Sequence, residues 1–202
     1  YMGLTYEDDN GNDTDYTIGT DGTIAAVALE DGYGDEFGII KGEEAYLNIN
    51  TIIKNIDKRF YVDATNNLVM FTDATKTYKT KIGGKTINET ENTDYVISFM
   101  DGKNCYVNVK FVKKYVDFDY KVVKAEGKSP ARIVLKYTSG EKNQMTVKSN
   151  IEMRTKADYQ NLIVTTLKKN TKVTVLEESG DWTKVGTDDG FMGYVPAKKL
   201  KD

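Results

Sequence analysis

An α+β region, mostly antiparallel sheet with two short helices, followed by a small all-β barrel is the fold this sequence predicts. Three observations predict it. Short apolar/polar alternations bounded by Gly, Asn and Asp run through most of the chain, the period-two signature of half-buried strands. One strand-helix segment occurs twice, at an offset of about sixty residues. At the C-terminal end three alternating runs follow one another. Val173, Val175, Trp182, Val185, Tyr194 and Val195 form their apolar set, and Thr174, Glu177, Glu178, Lys184 and Asp188 their wet set.

In chain order, Leu4-Thr5-Tyr6 and Tyr16-Thr17-Ile18 flank Asn10-Gly11, a hairpin signal. The acidic run Glu7-Asp8-Asp9-Asn10-Gly11-Asn12-Asp13 resembles the start of a calcium loop, but no bidentate Glu follows at the spacing such a loop needs. A solvated turn is the plainer reading. Tyr16–Gly19 and Ile24–Val27 predict a second hairpin turned by Asp21-Gly22. Asp31 to Phe37 reads as an exposed loop, with metal binding the lesser alternative.

The duplicated segment runs from Gly42 to Asp57 and from Gly102 to Asp117, matching Tyr46 with Tyr106, Asn48 with Asn108 and Asp57 with Asp117. In each copy a strand ends in Tyr-apolar-Asn. The Asn is a helix N-cap, and Ile49, Ile52, Ile53 and Ile56, or Val109, Val112 and Val116, follow at helical spacing. A strand pair follows each helix: Phe60–Asp63 with Leu68–Phe71 across Thr65-Asn66-Asn67, and Tyr120–Val123 with Arg132–Leu135 across a longer loop. Each copy is thus a strand-helix-strand unit. Cys105, the only thiol, stands where Ala45 stands in the first copy, which predicts a small packing residue.

The pattern Tyr46-Leu47-Asn48-Ile49 with Phe60-Tyr61-Val62-Asp63 is similar to the copper amine oxidase N-terminal-like domain, over about 38–73 and more faintly 96–137. That resemblance implies a non-catalytic module of exported Gram-positive proteins that does not itself bind copper. Val62-Asp63 stands where the family usually has Trp-Asp.

The polar cluster Tyr137 to Gln144 marks the boundary, giving regions 1–143 and 144–202, with a span too short for free swivelling. Beyond it stand Asn150-Ile151-Glu152-Met153-Arg154, Leu167-Lys168-Lys169-Asn170-Thr171-Lys172-Val173, Asp181-Trp182-Thr183-Lys184-Val185 and Gly193-Tyr194-Val195. These segments resemble a bacterial SH3 (SH3b) domain. Asn170 replaces the usual Gly and tolerates the same left-handed turn. Thr155 to Asn161 replaces the family's Ser-Gly-Pro-rich loop. The resemblance implies an SH3-like barrel with Trp182 and Tyr194 in or beside its core, and a groove flanked by Asp158 and Tyr159.

Chemistry is bounded by what is missing. The 202 residues contain no His, and Lys plus Arg (28) nearly balance Asp plus Glu (31). No zinc cluster and no Ser-His or Cys-His pair can be built from them, no catalytic residue is assigned, and no cofactor is expected. No basic face points to nucleic acid, Lys113-Lys114 and Lys198-Lys199 reading as solvated pairs. No apolar run is long enough to span a membrane. The chain opens at Tyr1 without an initiator Met or a leader, as expected of a processed or excised piece.

Together the two resemblances imply an extracellular or cell-wall-associated, non-catalytic module that binds peptidoglycan or its peptides, with Asp158, Tyr159, Trp182 and Tyr194 as candidate contacts. They leave two alternatives. One is an N-terminal accessory part of a family 18 glycoside hydrolase or another wall hydrolase. That family's acidic signature is missing here, and Asp117-Phe118-Asp119 lacks its closing acid. The other is a spacer or protein-docking module that uses its tyrosines.

Overall fold

The computed structural model describes residues 4–7, 13–16, 23–127 and 129–202. Strand dominates, and the helices are single turns, so the described chain is mostly β. Two compact units divide it: residues 1–35 with 120–202, and residues 36–119.

In the first unit, β1 (Leu4–Glu7) and β2 (Asp13–Tyr16) pair antiparallel, Leu4 opposite Tyr16. The turn at Asn10-Gly11, its calcium reading, and the second turn at Asp21-Gly22 lie outside the described residues. Next comes β3 (Ile24–Ala28), buried almost throughout.

The second unit begins with β4 (Gly38–Lys41) and β5 (Glu44–Asn48). Next come α1 (Ile49–Thr51), a π turn at Ile52–Ile56, and the meander β6 (Phe60–Asp63), β7 (Leu68–Thr72), β8 (Thr77–Lys81), β9 (Thr86–Ile87) and β10 (Glu91–Asn92). Then β11 (Ser98–Asp101), β12 (Asn104–Asn108) and α2 (Val109–Lys113) complete it. The hairpins β4–β5 and β11–β12 share one register: Ile39 faces Tyr46 as Phe99 faces Tyr106, and the turns use Gly42 and Gly102 at φ +60° and +59°. They join through β5 and β12, which run antiparallel with Leu47 opposite Val107. Side chains directly opposite share a face, so Tyr46 stands beside Asn108 and Tyr106 beside Asn48.

Both asparagines cap the turn that follows. The Asn48 side chain accepts from the Asn50 amide and that of Asn108 from the Lys110 amide, each at 2.9 Å. Asn108 Nδ2 also donates to Glu44 (2.9 Å), whose other oxygen holds Lys110 Nζ at 2.7 Å. Helices this short are not stable alone; the cap and the buried Ile49, Ile52, Val109, Phe111 and Val112 hold them. Phe60, Phe71, Phe111, Tyr78 and Tyr115 pack ring against ring behind α2, the Phe71 and Tyr115 centroids 4.7 Å apart. Cys105 is buried opposite Met100, and burial pushes its thiol up to about 11, as suits a packing residue.

The first unit resumes with β13 (Asp119–Val123) and β14 (Ala131–Lys136). β14 runs parallel to β3, Ala25 opposite Ala131 through to Ala28 opposite Val134. A parallel pair is covered on both faces, which explains two nearly unbroken buried runs without alternation. The remaining strands are β15 (Gln144–Val147), β16 (Ile151–Arg154), β17 (Ile163–Leu167), β18 (Lys172–Ser179), β19 (Trp182–Gly186), β20 (Met192–Pro196) and β21 (Leu200–Lys201). They form one antiparallel sheet in the order β17-β16-β20-β19-β18-β15-β21. Val147, Met153, Val164, Leu167, Val173, Thr183, Val185, Met192, Val195 and Leu200 are among its buried residues. Asn170 turns with φ +72°.

This sheet packs on β3 and β14 within the same unit. Gly190, at φ +86°, lies so close to Val134 that a Cβ would come within 2.7 Å of Cγ2. Arg132, 4% exposed, donates from Nε to the Asp189 carbonyl (2.6 Å) and from Nη1 to the Pro130 carbonyl (2.8 Å), and its guanidinium lies 3.9 Å from the centroid of the Phe191 ring. The Met192 amide donates to Tyr33 Oη at 2.9 Å, and burial pushes the Tyr33 phenol up to about 12. Glu30 accepts from the Tyr137 and Thr138 amides, both at 3.0 Å, and from the Thr138 hydroxyl, and it pairs with Lys142 at 3.4 Å.

Candidate functional site

The register of β18, β19, β20 and β16 sorts the candidate residues by face. Trp182 stands opposite Pro196, Thr183 opposite Val195, Lys184 opposite Tyr194 and Val185 opposite Gly193, while Arg154 stands opposite Tyr194. Thr183, Val185 and Val195 point inward and are buried. Trp182, Lys184, Tyr194 and Arg154 therefore share the outer face. The placing of Trp182 and Tyr194 with Val185 and Val195 in one apolar set needs correcting. Trp182 is three residues from Val185 and Tyr194 is adjacent to Val195, so strand alternation sends them to opposite sides, and Thr183 takes the inner place.

Gly193 makes the tight β16–β20 contact possible, since a Cβ there would lie 2.5 Å from the Arg154 carbonyl oxygen and 2.7 Å from Met153 Cγ. The outer face next to it carries Arg154, whose Nη1 donates to the Asn161 carbonyl (2.9 Å) and whose Nη2 pairs with Glu152. Arg154 so fixes the base of the loop from Thr155 to Leu162, which closes through the Thr155 amide donating to the Leu162 carbonyl at 2.9 Å.

That loop brings Tyr159 to Trp182. Their ring centroids lie 4.7 Å apart with the planes at 62°, an edge-on contact, and the Arg154 guanidinium lies 5.9 Å from the Tyr159 centroid. Tyr159 is nevertheless 58% exposed, and Leu162 (59%) and Ile163 (37%) lie exposed at the same end of the sheet. Two rigid rings set at an angle, with apolar neighbours and a guanidinium behind, offer faces and edges to a ligand at small entropic cost. Asp158 shapes the loop: its Oδ1 accepts from the Gln160 amide at 2.8 Å. Tyr194 lies half-buried, two residues from the Trp182–Pro196 pair. Burial, and next the Glu177 carboxylate, raise its phenol above the usual value. Lys184, between Trp182 and Gly186, is not free for a ligand. It was read only as a wet position, yet its Nζ donates to the Asp31 carbonyl at 2.8 Å, a contact between residues far apart in sequence that no local pattern announces.

Among the described residues, no three His, Cys, Asp or Glu side chains stand together as a metal site. Asp31 lies inside the segment closed by the Leu29 amide donating to the Gly32 carbonyl at 2.9 Å. No described helix is long and apolar enough to cross a membrane.

This sheet is SH3-like, and the family comparison agrees. The model of the bacterial SH3 domain family matches residues 149–201, β16 to β21. The match covers the C-terminal quarter of the chain, and it is consistent with a non-catalytic binding module. No curated protein and no solved structure matches the chain.

Proposed function

We propose that this chain is a non-catalytic module of an exported bacterial protein and holds its carrier on cell-wall peptidoglycan, the Tyr159–Trp182 face gripping stem or cross-bridge peptides. The observation that carries the reading is the edge-on pair of the exposed Tyr159 and the half-buried Trp182 on the outer face of a region that matches the bacterial SH3 family. An extended peptide laid across such a face is held by ring contacts and a few hydrogen bonds. Affinity per site is modest and rises when several copies meet a repeating polymer. Asp158 and Tyr194 border that face, the first through its loop and the second through β20. The shared register of the β4–β5 and β11–β12 hairpins supports a duplicated unit in the N-terminal region, in keeping with its resemblance to the copper amine oxidase N-terminal-like domain. On this reading that region is an accessory part.

The test is retention on insoluble peptidoglycan, with chitin as the competing solid, for the chain and for Tyr159→Ala plus Trp182→Ala. Retention on peptidoglycan that the double variant loses while keeping its circular dichroism supports the reading. Retention on chitin instead would favour a glycosidase accessory role, and retention on neither a spacer or docking role.

A further inference from the structure

The first unit contains a cavity of about 500 Å³ between the SH3-like sheet and the β3–β14 pair, within the usual range for small-ligand sites. It lies at the Gly186 end of β19, about 13 Å along the strand from Trp182 at ~3.3 Å per residue. Its floor is apolar: Ala28, Val134 and Met192 form a buried cluster with Leu176 packed against it. Leu176 reaches the cavity at the point where β18 bulges between Val175 and Glu177.

The rim is charged, and its charges are unequally committed. Glu30 is spent on the Tyr137 and Thr138 amides, the Thr138 hydroxyl and Lys142, so it builds the wall and takes Lys142 with it. Of the other lining charges, Glu141 and Asp188 are carboxylates and Lys136 is the single ammonium. Among the described residues neither carboxylate has an ion-pair partner. An apolar floor under an acidic rim selects a ligand with a methylene stem and a terminal cation.

We infer that this cavity is a second binding site, distinct from the Tyr159–Trp182 face, and that it takes an aliphatic ammonium of lysine type. The stem lies on Val134, Leu176 and Met192, and the ammonium meets Glu141 and Asp188.

The probe is Nα-acetyl-lysine methylamide, titrated to millimolar concentration into the ¹⁵N-labelled chain and followed by amide chemical shifts, with the norleucine and glutamate analogues as comparators. Saturable shifts at Leu176, Gly186 and Met192 are expected, with binding roughly five- to ten-fold weaker for norleucine, since each of the two exposed ion pairs is worth up to about five-fold. Glu141→Gln with Asp188→Asn should weaken lysine binding roughly five- to ten-fold and leave norleucine unchanged. Norleucine binding as well as lysine, shifts confined to residues outside the cavity, or no shifts at all would overturn the inference. Shifts at Tyr159 and Trp182 are read separately, so either site can fail alone.

Discussion

Gly193, Gly190 and Arg132 show how single side chains, or their absence, decide the contacts of the SH3-like sheet. Gly193→Ala forces a Cβ onto the Arg154 carbonyl, and denaturant unfolding should show a loss of about 1–3 kcal/mol. Gly190→Ala meets both a left-handed φ and Val134, and should cost a similar ~1–3 kcal/mol. Of these, only Gly193 was legible, because it sits in the Gly-Tyr-Val motif. Val134 and Gly190 are far apart in the chain, and no local pattern announces their meeting. The face of Trp182 and Tyr194 was misjudged, because motif positions alone do not carry strand parity. Tyr159 was legible as a loop aromatic. Its contact with Trp182 depends on Arg154 fixing the loop base, which spacing does not reveal.

At the scale of elements, the asparagine caps and the Glu30 clamp invite measurement. Asn48→Ala and Asn108→Ala each remove a cap and should each cost about 1 kcal/mol in thermal or denaturant unfolding. Asn108→Ala should cost more, because it also strips a partner from Glu44. Burial alone would raise the Glu30 carboxyl, but the Thr138 hydroxyl, the Thr138 and Tyr137 amides and Lys142 outweigh it and hold it below its ordinary value of 4.5. A carboxyl lowered by folding contributes stability in full above its unfolded pKa and loses it as pH falls through the folded value. Unfolding midpoints should therefore drop below about pH 4.5, and Glu30→Gln should flatten that drop while lowering stability at pH 7; an equal acid response in both proteins would count against the clamp. The caps were readable from Asn before an apolar helical period. The clamp was not, since Glu30 and Thr138 are separated in the sequence by the whole of residues 36–119.

For the molecule as a whole, the division into units departs from the order of the chain. The SH3-like sheet shares its compact unit with β3, β13 and β14, and Met192, Leu176 and Gly190 lean on Ala28 and Val134. A fragment of residues 144–202 should consequently melt lower than the same region in the full chain, its Met192 side newly wet. The alternating C-terminal strands were legible because antiparallel strands with one wet face print their period in the sequence. The strands β3 and β14 were legible but their parallel pairing was not, because the two are separated by more of the chain than any local pattern spans. Trp182 is the only tryptophan in the chain, so its fluorescence reports on the candidate face alone. The deciding measurement is a titration of that fluorescence with soluble peptidoglycan stem-peptide fragments, in the native chain and in Tyr159→Ala. A saturable change in the native chain, lost in the variant, is the predicted result. An unchanged signal at saturating fragment, or one that survives unaltered in Tyr159→Ala, would contradict a peptide-gripping role for this face.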